Sequence, residues 1–240
     1  MSKIAIIGRE KEMCTHILDE LRATYQDYEI RAIPLIKSEG IPFEFPHSTR
    51  KQMFLFTSPR AVEHFLERHN IPEGSEVATL GHRTTRTLCN HGIEPNMTGR
   101  FKDAVGMPPE LLNYMRYTAS NYQIVLPTYG NGVHHYGDSL REQSIDFTTL
   151  QVYKVSPHPK LSENLAKIED KPEWVLFFSP VSVQAWVGAT DWRPTAISVD
   201  RATSCELRNQ GFNNIFESSS PHHFDLLNTI IKHNPLFKVD

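Results

Sequence analysis

One block of this sequence occurs twice, and that repetition constrains the fold more than any other feature. Met53-Phe54-Leu55-Phe56 leads into Thr57-Ser58-Pro59, and Trp174-Val175-Leu176-Phe177-Phe178 leads into Ser179-Pro180. Further on, Val77 to Leu80 runs into Gly81-His82-Arg83-Thr84, as Ala196 to Val199 runs into Asp200-Arg201-Ala202-Thr203. Ser58 maps to Ser179 at an offset of 121, and Thr84 to Thr203 and Gly92 to Gly211 at an offset of 119. In each copy an apolar run of strand formers meets a turn and then a helical pattern, twice in the same order. A recurring supersecondary unit implies a duplicated architecture, so the chain is expected to fold as two similar halves.

The rest of the pattern assigns the class. Ile4 to Ile7 reads as a buried parallel strand, and Glu10 to Tyr25, with Met13, Ile17, Leu18 and Leu21 at helical spacing, as the helix that follows. Glu29 to Ile36 reads as a strand broken by Pro34, which places it at an edge or in a linker, and the Gly- and Pro-containing stretch from Lys37 to Ser48 as a connection. Ser58-Pro59 and Ser179-Pro180 open helices, because a hydroxyl caps free N–H groups and proline loses nothing at the first helical position. Gly92 and Gly211 stop the helices that begin near Thr84 and Thr203. A proline-started helix lies between Phe101 and Tyr117. Gln123 to Leu126 and Leu150 to Val155 are strands, with a turn at Tyr129-Gly130-Asn131-Gly132 between them, and Pro221 begins the last helix. Strands alternating with helices predict an α/β fold of parallel sheets.

Composition removes whole classes of function. A net charge of -3 over 240 residues provides no global attraction to nucleic acid or anionic membrane. No apolar run approaches the roughly 18 residues of a membrane span, and the first residues lack the pattern of a secretory signal, so a cytoplasmic protein is expected. Cys14, Cys89 and Cys205 are far apart and odd in number, which disfavours a disulfide framework or a zinc site; Cys14 and Cys89 read as buried thiols. His134-His135 and His222-His223 have no Cys or carboxylate partners at ligand spacing and read as surface histidines, so no metal is expected. Gly130-Asn131-Gly132 fits neither the dinucleotide fingerprint nor the P-loop.

In open α/β sheets ligands gather beyond the carboxyl ends of the strands. The repeated turns lie there, each ending in a helix start that carries a hydroxyl. A helix start presents free N–H donors and partial positive charge. Several together in a cleft between the halves suit a ligand with many carboxylates. The residues alone disclose no nucleophile, triad, metal or cofactor loop.

Read together, these turns resemble uroporphyrinogen-III synthase. The resemblance runs along nearly the whole chain. It rests on Phe56-Thr57-Ser58-Pro59-Arg60-Ala61-Val62, the Gly81-x-x-Thr84 turn, and Leu126-Pro127 followed by Gly130-Asn131-Gly132. It continues through Val152-Tyr153-Lys154 with Pro157 beyond, Phe177-Phe178-Ser179-Pro180, and the Thr203 to Gly211 helix. It implies two α/β lobes, each a parallel sheet flanked by helices, joined by a two-stranded linker. Lobe one would comprise residues 1–35 and 156–240, lobe two residues 36–155, with linker strands near 31–37 and 150–156. It implies a cofactor-free lyase acting on hydroxymethylbilane, a linear tetrapyrrole with eight carboxylates. Water leaves the ring A hydroxymethyl group, the substituted end of ring D attacks through a spiro intermediate, and the ring closes with D inverted.

By position, the resemblance makes Tyr153 the proton donor to the departing hydroxide. It makes Ser58, Thr84, Ser179 and Thr203 substrate-binding hydroxyls, and places carboxylates on backbone N–H groups near Gly81, Gly130, Asn131 and Ala202. A monomer is expected, receiving its substrate from the preceding enzyme of the pathway. Two positions depart from the family pattern: Asp200 stands where glycine is usual, bringing a carboxylate toward an acidic substrate, and Tyr129 where a basic residue is common. The competing readings are a two-lobed binding protein for a polycarboxylate without turnover, disfavoured by the lack of a signal peptide, and a flavodoxin-like redox protein, disfavoured by the lack of a phosphate loop.

Overall fold

A computed structural model describes residues 3–9, 11, 14–24, 26, 28–46, 49–100, 107–130, 135–219 and 223–233. The chain divides into two compact units, Met1–Lys37 with Ser156–Asp240, and Ser38–Val155.

The first unit contains β1 (Lys3–Ile7), α1 (Thr15–Thr24) and β2 (Tyr28–Ala32). After the second unit it resumes with α6 (Leu161–Ala166), β9 (Trp174–Phe177), α7 (Pro180–Ala189), β10 (Thr195–Ser198), α8 (Arg201–Asn209), β11 (Ile215–Glu217) and α9 (His223–His233). Its sheet runs β11-β10-β9-β1-β2, with every pair parallel. β1 lies inside this sheet, which is why Ile4 to Ile7 is a continuous apolar run: strands covered on both faces have no polar side. Ala5, Ile7, Leu176 and Ile197 face α1 and α9 through Leu18, Leu21, Leu226 and Ile230. Phe177 packs edge-on against both Trp186 of α7 and Phe212.

The second unit contains most of β3 (Ile36–Gly40), β4 (Lys51–Phe56), α2 (Pro59–Leu66), β5 (Glu76–Leu80), α3 (His82–Asn90), β6 (Met97–Gly99), α4 (Pro109–Thr118), β7 (Tyr122–Tyr129), α5 (His135–Glu142) and most of β8 (Phe147–Pro157), the outer two residues of β3 and of β8 belonging to the first unit. Its sheet runs β3-β8-β7-β4-β5-β6. Alternate residues divide between two cores, as the two-residue period of a strand requires. Met53, Leu55, Ala78, Ile124 and Leu126 meet Leu111 and Met115 of α4. Phe54, Phe56, Val77 and Val125 meet Val62 and Phe65 of α2 and Leu88 of α3.

The duplication seen in the sequence is present in the topology. Order β6-β5-β4-β7-β8 in one sheet corresponds to β11-β10-β9-β1-β2 in the other. It extends to single hydrogen bonds. Gly92 has φ 76 and Gly211 has φ 79, the left-handed conformation that favours glycine. In each copy the glycine N–H and the one after it close the helix on its last carbonyls: Gly92 to Cys89 O and Ile93 to Leu88 O, Gly211 to Arg208 O and Phe212 to Leu207 O. Thr79 bonds Thr85 at 2.7 Å, and the equivalent Ser198 bonds Ser204 at 2.5 Å, each tying a strand to the helix that follows.

Several local expectations need correction. The strand expected over 29–36 is two strands, β2 ending at Ala32 and β3 starting at Ile36, with Pro34 in the gap. Proline has no N–H to donate to a ladder. Residues 37–40, expected to be connection, belong to β3 and neighbour β8 in the second sheet. Ile41 N donates to Val152 O and His158 N to Leu35 O, so the two passes of chain between the units run antiparallel. β7 continues to Tyr129, the strand opening the second copy of the repeat stops at Phe177, and the short elements β6 and α6 carry too little periodicity to be read from sequence. Cys14 is buried, but Cys89 is only half-buried at the end of α3, its thiol donating to Glu94.

Candidate functional site

Each recurring turn places its hydroxyl at a helix start at the carboxyl end of a parallel strand. Ser58 follows β4 and caps α2, its Oγ accepting from Ala61 N at 3.2 Å. Ser179 follows β9 and caps α7 in a reciprocal box: Ser182 N donates to Ser179 Oγ, and Ser179 N donates to Ser182 Oγ. Proline occupies the first turn in both.

The second pair of turns differs between the copies in one respect. Gly81 stands at the start of α3 with φ 85 and offers no side-chain cap. Its own N–H is already donated to Gly99 O at 2.9 Å. The donors left open at that turn are the amides after Gly81, which have no intrahelical acceptor. At the start of α8, Asp200 occupies the equivalent position, and its Oδ1 accepts from Thr203 N at 2.8 Å. The carboxylate expected to oppose an acidic ligand is turned onto its own helix, where it neutralises part of the positive end. Ala202 is exposed in the same turn.

Thr84 and Thr203 occupy equivalent positions in the first turns of α3 and α8, both buried. Thr203 Oγ1 has no hydrogen-bond partner among the described residues. Such a group costs about 1–3 kcal/mol in a folded protein.

Tyr153 lies on β8 and is 4% exposed, its ring within the aromatic core formed with Phe54, Phe56 and Phe65. Its hydroxyl is 3.5 Å from Ser58 Oγ. Two further rings hold it: Tyr129, the last residue of β7, at 5.5 Å and 44°, and His64 of α2 at 5.2 Å and 33°. Burial pushes the Tyr153 phenol above its ordinary value, and the Ser58 hydrogen bond draws it partly back. Smaller effects come from Tyr129 and Glu63, which raise it, and Arg60, which lowers it. Tyr129 is also raised by burial. Tyr153 is thus a protonated phenol at neutral pH, able to donate a proton.

In the second unit the structure therefore brings Ser58 and Tyr153 together. In the first it aligns Thr203 with Asp200. Gly130 has φ 62 at the end of β7, and Asn131 lies outside the described residues, as do His134 and His222. Sequence reasoning missed His64. A lone histidine on an amphipathic helix carries no signal until the strand it faces is known. Among the described residues, no group of three or more His, Cys, Asp or Glu side chains could hold a metal, and no helix is long and apolar enough to cross a membrane.

Comparison with known proteins locates this architecture. Among solved structures, uroporphyrinogen-III synthetase from Helicobacter pylori superposes with a TM-score of 0.67 at 19% identity, over 98% of this chain and 100% of that one. A mutant uroporphyrinogen III synthase from the extremely thermophilic bacterium Thermus thermophilus superposes with a TM-score of 0.51 at 16% identity, over 94% of this chain and 96% of that one. At such identities the likeness establishes the fold. No curated protein sequence matches the chain. The family model described as uroporphyrinogen-III synthase HemD matches residues 21–228, which takes in the whole second unit and every repeated turn. The chain is a member of the uroporphyrinogen-III synthase family.

Proposed function

We propose that this protein is a lyase that converts hydroxymethylbilane into uroporphyrinogen III and one molecule of water. The observation that carries the reading is the family match over residues 21–228. The bond between the ring A methylene carbon and its hydroxyl breaks, pushed by the pyrrole nitrogen, and hydroxide takes a proton from the Tyr153 phenol as it leaves. The substituted carbon of ring D attacks the resulting azafulvene. The spiro intermediate then fragments and recloses with ring D reversed, and the proton lost on aromatisation restores the phenol. The reaction without the protein also closes the ring, but leaves D uninverted. The protein's task is chiefly to hold the chain ends in one geometry.

The phenol at Ser58 supports the role of Tyr153, because a protonated donor held by one hydrogen bond on a strand is what that step needs. Ser58, Thr84, Ser179 and Thr203, with the amides that follow Gly81, those near Gly130 and Asn131, and that of Ala202, are proposed to hold the substrate. Two features favour this: the uncapped start of α3 and the unpartnered hydroxyl of Thr203. Purified protein is given fresh hydroxymethylbilane, and the products are oxidised and separated by isomer. The inverted isomer, formed faster than in a protein-free control, is expected. Only the uninverted isomer at the control rate would end the proposal.

A further inference from the structure

Both ring nitrogens of His64 meet oxygen, and the ring lies against the proposed proton donor. Its side chain is 11% exposed although it belongs to a surface helix. Nδ1 lies 3.0 Å from Glu67 Oε2, one turn along α2, and Nε2 lies 3.1 Å from Ser38 Oγ on β3. A carboxylate can only accept, so Nδ1 carries the hydrogen; in the neutral ring Nε2 then accepts from the Ser38 hydroxyl. These two bonds fix the plane of the imidazole, and its centre lies 5.2 Å from that of the Tyr153 ring.

The strand is shaped to admit the pair. A Cβ on Gly40 of β3 would come within 3.2 Å of both Glu67 Oε2 and His64 Nδ1, so a larger residue there would crowd the hydrogen bond. Arg68 donates to Gly40 O from just beyond the same helix, tying β3 to α2 a second time. A histidine that merely filled space would need neither an oxygen at each nitrogen nor a gap in the facing strand.

Resting on the synthase reading above, we propose that His64 is a positioning residue for the reaction. Held between Glu67 and Ser38, it sets the angle of the Tyr153 ring and so the direction in which the phenol presents its proton. Tyr129 also packs on the ring at 5.5 Å, and the Ser58 and Tyr153 hydroxyls lie 3.5 Å apart, so His64 is one of three groups that hold Tyr153. Ser38 is the first residue of the second unit, so the holder begins where the chain enters it.

The test uses the full chain. His64→Phe keeps a ring against Tyr153 but loses both hydrogen bonds, and Glu67→Ala removes the acceptor at Nδ1 by truncating an exposed side chain, leaving the core intact. Formation of the inverted isomer is expected to slow by about ten-fold in kcat in His64→Phe, short of the roughly 10²-fold that misplacing a reacting group by about 1 Å can cost. KM is expected to stay within about two-fold, because substrate contacts are untouched. Glu67→Ala is expected to fall between parent and His64→Phe.

Independently of turnover, NMR of ring-labelled tyrosine, with Tyr153→Phe to assign the signal, reads how fast the Tyr153 ring flips. Separate ε signals are expected in the parent and a merged signal in both variants. Unchanged kcat together with an unchanged ring-flip rate in Glu67→Ala would overturn the inference even if His64→Phe does not fold. If the parent yields only the uninverted isomer, the synthase reading falls, and the ring-flip result alone decides whether His64 positions Tyr153.

Discussion

Asp200 and Thr203 are joined at the start of α8 by a 2.8 Å hydrogen bond from the Thr203 N–H to the Asp200 carboxylate. In the other copy, Gly81 gives Thr84 no such partner. The same helix start is therefore self-capped in one unit and open in the other. Asp200→Ala should destabilise the protein by about 1 kcal/mol, and Asp200→Gly by only a few tenths, because glycine is itself a tolerable cap. Asp200→Gly should also lower KM for hydroxymethylbilane, since a negative charge is removed and an amide freed at a proposed carboxylate site. Thermal unfolding and steady-state kinetics on the two variants read both effects, and a KM unchanged in Asp200→Gly would remove α8 from substrate binding.

Thr203→Val separates structure from function. The substitution keeps the shape and removes a buried hydroxyl that has no partner among the described residues. Folding alone predicts that stability holds or rises, because an orphan polar group disappears. Contact with substrate predicts that KM rises. A more stable protein with weaker substrate affinity is the expected result, measured by melting temperature and KM on the same preparation.

Tyr153→Phe removes the proposed proton donor and the contact with Ser58 Oγ. We expect kcat to fall by up to about 10²-fold, the low end for a positioned donor. KM should change far less. Full turnover in the variant would take Tyr153 out of the chemistry.

Much of the fold is legible in the chain itself. The strands β1, β4, β5, β9 and β10 and the capped helix starts follow from apolar runs and Ser-Pro or Gly signals, because those depend on residues a few positions apart. The correspondence of Ser58 with Ser179 and Thr84 with Thr203 follows in the same way. The half-exposure of Cys89 does not, since burial at a helix end depends on neighbours distant in sequence.

The copies also make a paired prediction. Gly92 and Gly211 share φ near 76–79, and nothing lies within 4 Å of a Cβ at either. Alanine at each should therefore cost about 1–2 kcal/mol from backbone strain alone. Nearly equal losses in chemical denaturation are expected, and unequal ones would show that the two helix ends are not equivalent.

Alkaline stability follows from Tyr114, whose phenol donates to Glu76 and is pushed well up by burial and that carboxylate. A phenol raised on folding supports the folded state fully below its unfolded value of about 10 and loses that support as pH climbs past it. Tyr153 is raised in the same direction. Stability should decline above about pH 10, and less steeply in Tyr114→Phe than in the parent. Denaturant midpoints across that range provide the check.

The sequence by itself determined the class, the duplication and the order of strands and helix starts, because periodicity, capping and turn chemistry act over a few neighbouring residues. Only the tertiary structure decided that Tyr153 packs against both His64 and Tyr129 with its hydroxyl at Ser58, and that Thr203 Oγ1 finds no partner among the described residues. Those facts depend on β8, β7, β4 and α2 meeting, and on how Asp200 turns at the head of α8. Pairing across tens of residues is set by the packing of whole sheets, for which no local pattern in the chain supplies a signal.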